Sequence, residues 1–160
     1  MPRKKAYRGS APLEDMGITA IILHGGRVLL LRKIWLPFVL YRGLWLFLSG
    51  KREPGESYDT AAYREIREET GIGRRDLLLL GRFGGVAKFH VGSGRRFTDT
   101  LYVFASRTAR VRLNIENTAY RWASVSDIRR EREYTNAFVD KQFIERTIGR
   151  ALDGGKLAER

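Results

Sequence analysis

The sequence predicts an α/β sandwich, with a mixed β-sheet held between helices. Two observations carry that expectation. Segments rich in leucine and β-branched residues, separated by short polar turns, fill most of the chain. Two stretches with apolar residues at helical spacing interrupt and close the series. The resulting order of hairpin, strand, helix, several strands and final helix supplies a layer for each face of a sheet.

Taken in order, the sequence predicts a flexible basic arm over residues 1–15, a folded domain over 16–153 and a short tail over 154–160. "GITAIILHGGRVLLLRK" predicts strands from Gly17 to Leu23 and from Arg27 to Lys33, joined at "HGGR". "LWLFLS", Leu44 to Ser49, reads as one short strand running into the polar loop "KREPGE". A helix follows, with Ser57 as its N-cap, Ala61, Ala62 and Ile66 on its apolar side, and Gly71 as its stop. "DLLLLGRFGG", "VAKFHV", "RRFTDTLYVFAS" and "YRWASV" each read as a strand. From Thr135 or Asn136 to about Leu152, Phe138, Val139, Phe143, Ile144, Ile148 and Leu152 recur at helical spacing and predict a closing amphipathic helix.

Composition narrows the function classes. The chain has 160 residues, enough for one domain with a real core. Cysteine is absent, so disulfides, thiolate metal sites and a cysteine nucleophile are excluded, and any metal rests on oxygen or histidine. The most apolar run, "IWLPFVLYRGLWLFL", is broken by Pro37, Arg42 and Gly43, and the polar N-terminus has no signal-type apolar stretch; a cytoplasmic protein with no membrane partner is expected. The net charge of +12, with 23 of the 30 basic residues arginine, favours polyanionic partners such as nucleotides, pyrophosphates or RNA.

The chemistry sits in "GKREPGESYDTAAYREIREETGIG", Gly50 to Gly73. Glu65, Glu68 and Glu69 stand at i, i+3 and i+4 on one helical face, where like charges repel. A hard divalent cation relieves that repulsion, because Mg2+ takes oxygen ligands and keeps several waters. The plain alternative is a solvated, salt-bridged helix with Arg64 and Glu68 paired at i, i+4. Gly50, Glu56, Arg64, Glu65, Ile66, Glu68, Glu69, Gly71 and Ile72 match every fixed position of the Nudix box, G-x5-E-x7-R-E-U-x-E-E-x-G-U with U aliphatic. The chain therefore resembles the Nudix hydrolases, over roughly residues 17–150. "LSG" at Leu48 to Gly50 departs from the usual Pro-Gly-Gly, leaving the path of the loop open.

The resemblance implies a Nudix-type α/β/α sandwich and Mg2+-dependent cleavage of the phosphoanhydride in a nucleoside diphosphate linked to another group, with Mn2+ as a substitute. It implies Glu65, Glu68 and Glu69 as metal ligands, Glu56 and the Gly50 carbonyl beside them, and Arg64 orienting a carboxylate. It also implies a carboxylate from outside the box as ligand or general base. Glu116, six residues before Trp122, is the best match, with Asp99 and Glu14 behind it.

Lys88 and His90 at i and i+2, with Arg82, Arg95 and Arg96, are candidate phosphate contacts, each weighed against an ordinary solvated strand position. Tyr41, with Trp35 and Phe38, is a candidate for stacking on a base, for an interface or for the core; Trp45 reads as core and His24 as a turn residue. A marker proline or tyrosine of the ADP-ribose and dinucleoside polyphosphate subfamilies is absent from "GGVAKFHVGS". A nucleoside triphosphate, an ADP-sugar and a 5′-phosphorylated RNA end all stay open. So do a nucleic-acid-binding protein reusing the fold, and monomer or homodimer.

Overall fold

A computed structural model describes residues 14–37, 43–89, 96–130 and 140–157. β1 (Glu14–His24) and β2 (Arg27–Lys33) form the expected hairpin, turning through Gly25 and Gly26 at φ 54° and 75°. β1 starts three residues ahead of the expected Gly17, where it already pairs with a later strand.

The segment expected as one strand divides in two. β3 (Trp45–Leu46) pairs with β2 and β4 (Leu48–Gly50) with β1. Phe47 at the break is buried on one side of the sheet and Leu48 on the other. Helix α1 (Tyr58–Thr70) begins where Ser57 Oγ accepts the Thr60 amide at 3.1 Å and ends at Gly71, in the left-handed conformation at φ 70°. Ser57 satisfies one orphan donor of the first turn, and glycine accepts the terminal twist at little cost.

A 3-10 turn (Arg74–Asp76) leads into β5 (Leu77–Phe89), a single strand where two were expected. Its register slips at Leu79/Gly81 and again at Phe83/Val86, so the glycines form bulges inside the strand instead of ending it. β6 (Arg96–Ser106) and β7 (Asn117–Ala123) follow. Helix α2 (Val125–Arg130) takes over where a strand was expected to run on to Val125. Ser124 Oγ accepts the Asp127 amide at 3.1 Å and Asp127 Oδ2 accepts the Ser124 amide at 2.9 Å, a reciprocal cap. The closing helix α3 (Lys141–Leu152) is capped by Asp140, which accepts the Phe143 amide at 2.8 Å. The start expected at Thr135 or Asn136 lies outside the described residues.

The sheet runs β3-β2-β1-β6-β5, with β4 also on β1 and β7 also on β2. β1 and β6 are parallel and the other pairs antiparallel, giving the mixed sheet expected. Central strands buried on both faces read as near-continuous apolar runs, and their side chains alternate between two cores. Ile18, Ala20, Ile22, Leu29 and Leu31 pack with Ala61, Ala62 and Ile66 of α1. Ile21, Leu23, Val28 and Leu30 pack with Ile144 and Ile148 of α3 and Ile128 of α2. Among the described residues no helix is long and apolar enough to cross a membrane.

Candidate active site

The alanines and Ile66 of α1 are fully buried against the sheet, which fixes the helix's rotation. Glu69 shares the buried side, at 2% exposure, while Glu68 is 54% exposed. Glu65 lies between, its carboxylate against Gly50: a Cβ added there would sit 2.0 Å from Glu65 Cδ. This close approach is a reason for glycine at 50. Behind it, the Gly50 carbonyl oxygen lies against Gly17, where a Cβ would meet it at 2.1 Å.

Arg64 organises the cluster. Its Nε and Nη2 donate to the two carboxylate oxygens of Glu56 at 2.8 and 2.9 Å, a bidentate pair. Nη1 donates to Glu65 Oε1 at 2.9 Å and to Glu68 Oε2 at 3.2 Å, and Nη2 also reaches the Lys51 carbonyl at 2.9 Å. One guanidinium thus ties three glutamates and the loop after β4 together. The hydrogen bonds from Arg64, with one from the Glu53 amide, hold the Glu56 carboxyl well below its ordinary value, at about 2.

Glu69 is held from the other side. Lys33 Nζ donates to its Oε2 at 3.2 Å and Asn117 Nδ2 donates to the same oxygen at 2.7 Å. Lys33 Nζ also lies 3.6 Å from Glu116 Oε2, so Glu116, 63% exposed, joins the cluster across that ammonium. Burial raises the proton affinity of both Glu65 and Glu69, with neighbouring glutamates adding to it and the cations opposing. Each is a carboxylate whose charge needs a partner.

This donor set suits a hard divalent cation: all oxygen, on a rigid helix, partly desolvated and mutually repelling. Among the described residues no three carboxylates close on one point, and the ammonium of Lys33 and the guanidinium of Arg64 stand between them.

The other candidates divide between the faces of the sheet. Arg82 is paired across the strands with Tyr102 and faces α1, its Nε 3.6 Å from Asp59 Oδ1, and Tyr102 donates its hydroxyl to the same carboxylate. Lys88 is on the α3 face, donating to Asp99 Oδ2 and Thr19 Oγ1, both at 2.9 Å. Asp99 also accepts from Thr19 at 2.7 Å. The structure therefore does not bring Arg82 and Lys88 together. Tyr41, Phe38, His90 and Arg95 lie outside the described residues, as do the side chains of Arg96 and Glu14. His24 Nδ1 donates to the Ser106 carbonyl at 2.8 Å, Trp35 is 69% exposed, and Trp45 packs against the α3-side core. Lys33 and Asn117 were not singled out in the sequence. Their signals were position alone: Lys33 ends the hairpin strand and Asn117 adjoins Glu116.

The NUDIX domain model matches residues 14–147, more than half of the chain. Among solved structures, the MutT protein from Methanosarcina mazei Go1 superposes with a TM-score of 0.67 at 27% identity, covering 89% of this chain and 98% of that one. A C. elegans Ap4A hydrolase superposes at TM-score 0.65 and 19% identity, covering 89% and 99%, a likeness of fold. An RNA pyrophosphohydrolase of Photorhabdus laumondii is 50% identical over 36 residues, 22% of this chain and 20% of that protein, so the match spans about a fifth of the curated relative. The helix that carries the glutamates thus sits in a domain matched over most of its length, and this chain belongs to the Nudix hydrolases, enzymes that act on pyrophosphate bonds.

Proposed function

We propose that the chain hydrolyses a phosphoanhydride in a nucleoside diphosphate linked to another group, with Mg2+, or Mn2+ in its place, held by Glu65, Glu68 and Glu69 beside Glu56 and the Gly50 carbonyl. One observation carries this reading: a single guanidinium, Arg64, bonds Glu56, Glu65 and Glu68, while Glu69 on the same helix meets Glu116 across Lys33. The metal, when bound, neutralises phosphate charge and lowers the pKa of an attacking water.

The protein's own groups do the rest. Arg64 fixes the rotamers of Glu56 and Glu65 against the loop at Lys51. Asn117 orients the buried carboxylate of Glu69. Glu116, mostly exposed opposite Glu69, takes the proton of the attacking water. Arg82, on the α1 face with the glutamates, is proposed as a substrate-side cation together with His90 and Arg96, and Tyr41 as the stacking residue; Lys88, paired with Asp99 on the opposite face, is not among them.

The substrate class is a small nucleotide, such as a nucleoside triphosphate or an ADP-sugar, turned over by a protein acting as monomer or homodimer in the cytoplasm. The second reading, an RNA 5′ end, draws on the 36-residue likeness to an RNA pyrophosphohydrolase and on the +12 charge. A phosphate-release screen over nucleotide diphosphate derivatives, in Mg2+ and in chelator, tests the proposal. Release from at least one compound in Mg2+ alone is expected. No release from any of them, by folded protein in Mg2+ or Mn2+, counts against it.

A further inference from the structure

We infer that an arginine-lined groove beside α1 docks the sugar-phosphate backbone of single-stranded RNA and leads its 5′ phosphates to the carboxylate cluster. Two cavities of about 820 and 650 Å³ share Gly71, Arg75 and Asp76, and so form one continuous depression. One end is lined by Arg64 and Glu68, the members of the cluster that face it. The other ends at Arg110 and Arg112, in the segment between β6 and β7. The shape is built in: the Arg112 amide donates to the Thr70 carbonyl at 2.8 Å, and a side chain at Gly71 would meet Arg112 Cβ at 3.3 Å.

The charge of the groove is one-sided. Arg64 is taken up by the glutamates, but Arg67, Arg74, Arg75, Arg110 and Arg112 are all exposed along the groove, against only Glu68 and Asp76. Among the described residues, Arg75 alone of these five has a carboxylate within 4 Å, Asp76 at 3.8 Å. Arginines near a helix C-terminus complement its dipole, which accounts for Arg67, but that effect fades beyond the last turn. Arg74, Arg75 and Arg110 lie past it.

The residue type points to phosphate, because planar guanidinium forks bind it bidentately and no described lysine lines the groove. The guanidinium of Arg74 lies 4.4 Å from the Tyr63 ring centre, a cation–π contact that holds it in the groove. Five cations spread over two joined cavities match a run of spaced phosphates along a polynucleotide backbone. The depression is concave where a membrane surface is flat. Among polynucleotides, an RNA 5′ end is the one that carries a phosphoanhydride, so the choice of RNA rests on the second hydrolytic reading above, an RNA 5′ end, and not on the small nucleotide.

The test uses the full chain and a variant with Arg74→Gln, Arg75→Gln and Arg110→Gln. Binding of a fluorescein-labelled 12-nucleotide single-stranded RNA is followed by anisotropy in chelator across a salt series. Turnover of a nucleoside triphosphate and of 5′-triphosphorylated RNA is measured separately in Mg2+. The expected result is RNA affinity lower by about tenfold or more at ~100 mM salt and a salt slope lower by about two, at ~0.7 per lost single-strand contact. Nucleotide turnover is unchanged. A control, Arg3→Gln, Lys4→Gln and Lys5→Gln, removes the same charge from the arm and is expected to cost much less. The inference is overturned by unchanged RNA binding, by equal losses in the two variants, or by phosphatidylserine vesicles outcompeting the RNA for the groove. Absent phosphate release in Mg2+ from both the nucleoside triphosphate and 5′-triphosphorylated RNA, by the folded parent chain, counts against the hydrolytic reading, whatever the binding series shows.

Discussion

Lys33 Nζ lies 3.2 Å from Oε2 of Glu69, and both side chains are withdrawn from solvent, at 13% and 2% exposure. The pair joins the last residue of β2 to the last carboxylate of α1. An ammonium therefore already compensates the most buried charge of the cluster.

Replacing Lys33 by methionine is expected to leave Glu69 buried without its cation. Breaking one side of a buried pair costs about 3–5 kcal/mol. At ~2–4 °C per kcal/mol, the Tm in chelator drops by roughly 10 °C. Millimolar Mg2+ is expected to recover more of that loss than it adds to the parent chain, because a cation bound only to the folded state stabilises it by mass action. Melting curves in chelator and in Mg2+ for both proteins check this; equal Mg2+ increments argue against a shared role for ammonium and metal.

Glu69→Gln keeps the side chain's volume, its amide oxygen can still accept from Asn117 and Lys33, and Lys33 retains Glu116, so the fold is expected to persist at reduced stability. Turnover is expected to fall by about a hundredfold or more, the scale on which loss of a principal electrostatic element registers. Steady-state kinetics in saturating Mg2+ decide the matter. A rate near that of the parent removes Glu69 from the metal set.

The Glu56–Arg64 pair has a pH signature of definite sign. The Glu56 carboxyl is lowered from 4.5 to about 2 in the folded chain, so the folded state binds fewer protons than the unfolded one between those values. The stability it contributes is fully present above pH ~4.5 and is lost as pH falls toward ~2. Glu65 and Glu69 shift upward and act with the opposite sign, favouring the metal-free fold less as pH rises above 4.5. Acid unfolding in chelator is expected to have a shallower limb below pH 4.5 in Glu56→Gln, and an unaltered limb contradicts the pairing.

Gly17→Ala tests the support behind Gly50. The position has φ 136°, and its new Cβ would stand 2.1 Å from the Gly50 carbonyl oxygen, which is backbone and cannot swing aside. A loss above about 1–3 kcal/mol, the cost of strain alone, is expected. A lower kcat accompanies it, because Gly50 abuts Glu65. Gly85→Ala, at φ 64° with nothing within 4 Å of the added carbon, pays strain only and keeps its kcat. Parallel melting and rate measurements distinguish the two.

What the sequence made legible was set by local physics. Ser57, Gly71 and the period of Ala61, Ala62 and Ile66 determine α1 almost by themselves, and the glutamates travel with that helix. The split at Phe47 and the fusion of β5 were not legible, because both depend on which distant strand is the partner, β1 or β2 in one case and β6 in the other. The reciprocal cap of Ser124 and Asp127 was a local signal for α2, obscured by the aromatic and β-branched residues just before it. In the site, motif spacing brought out the glutamates and Arg64, but Lys33 and Asn117 come from other elements and carry no spacing to find them by.

The sheet separates two cores, and that separation governs how the protein tolerates change. Ile144 and Ile148 on α3 touch neither Arg64 nor the glutamates, whereas Ala61 and Ile66 carry the very helix that presents them. A truncation such as Ile148→Ala, at about 2–5 kcal/mol, is therefore a tax on abundance and heat resistance that spares the rate. A change of volume beneath α1 tilts the glutamates as well. Variation accumulating in a lineage can drift on the α3 side under selection for folding alone, while the α1 side is constrained twice. A search for hardened variants belongs on the former.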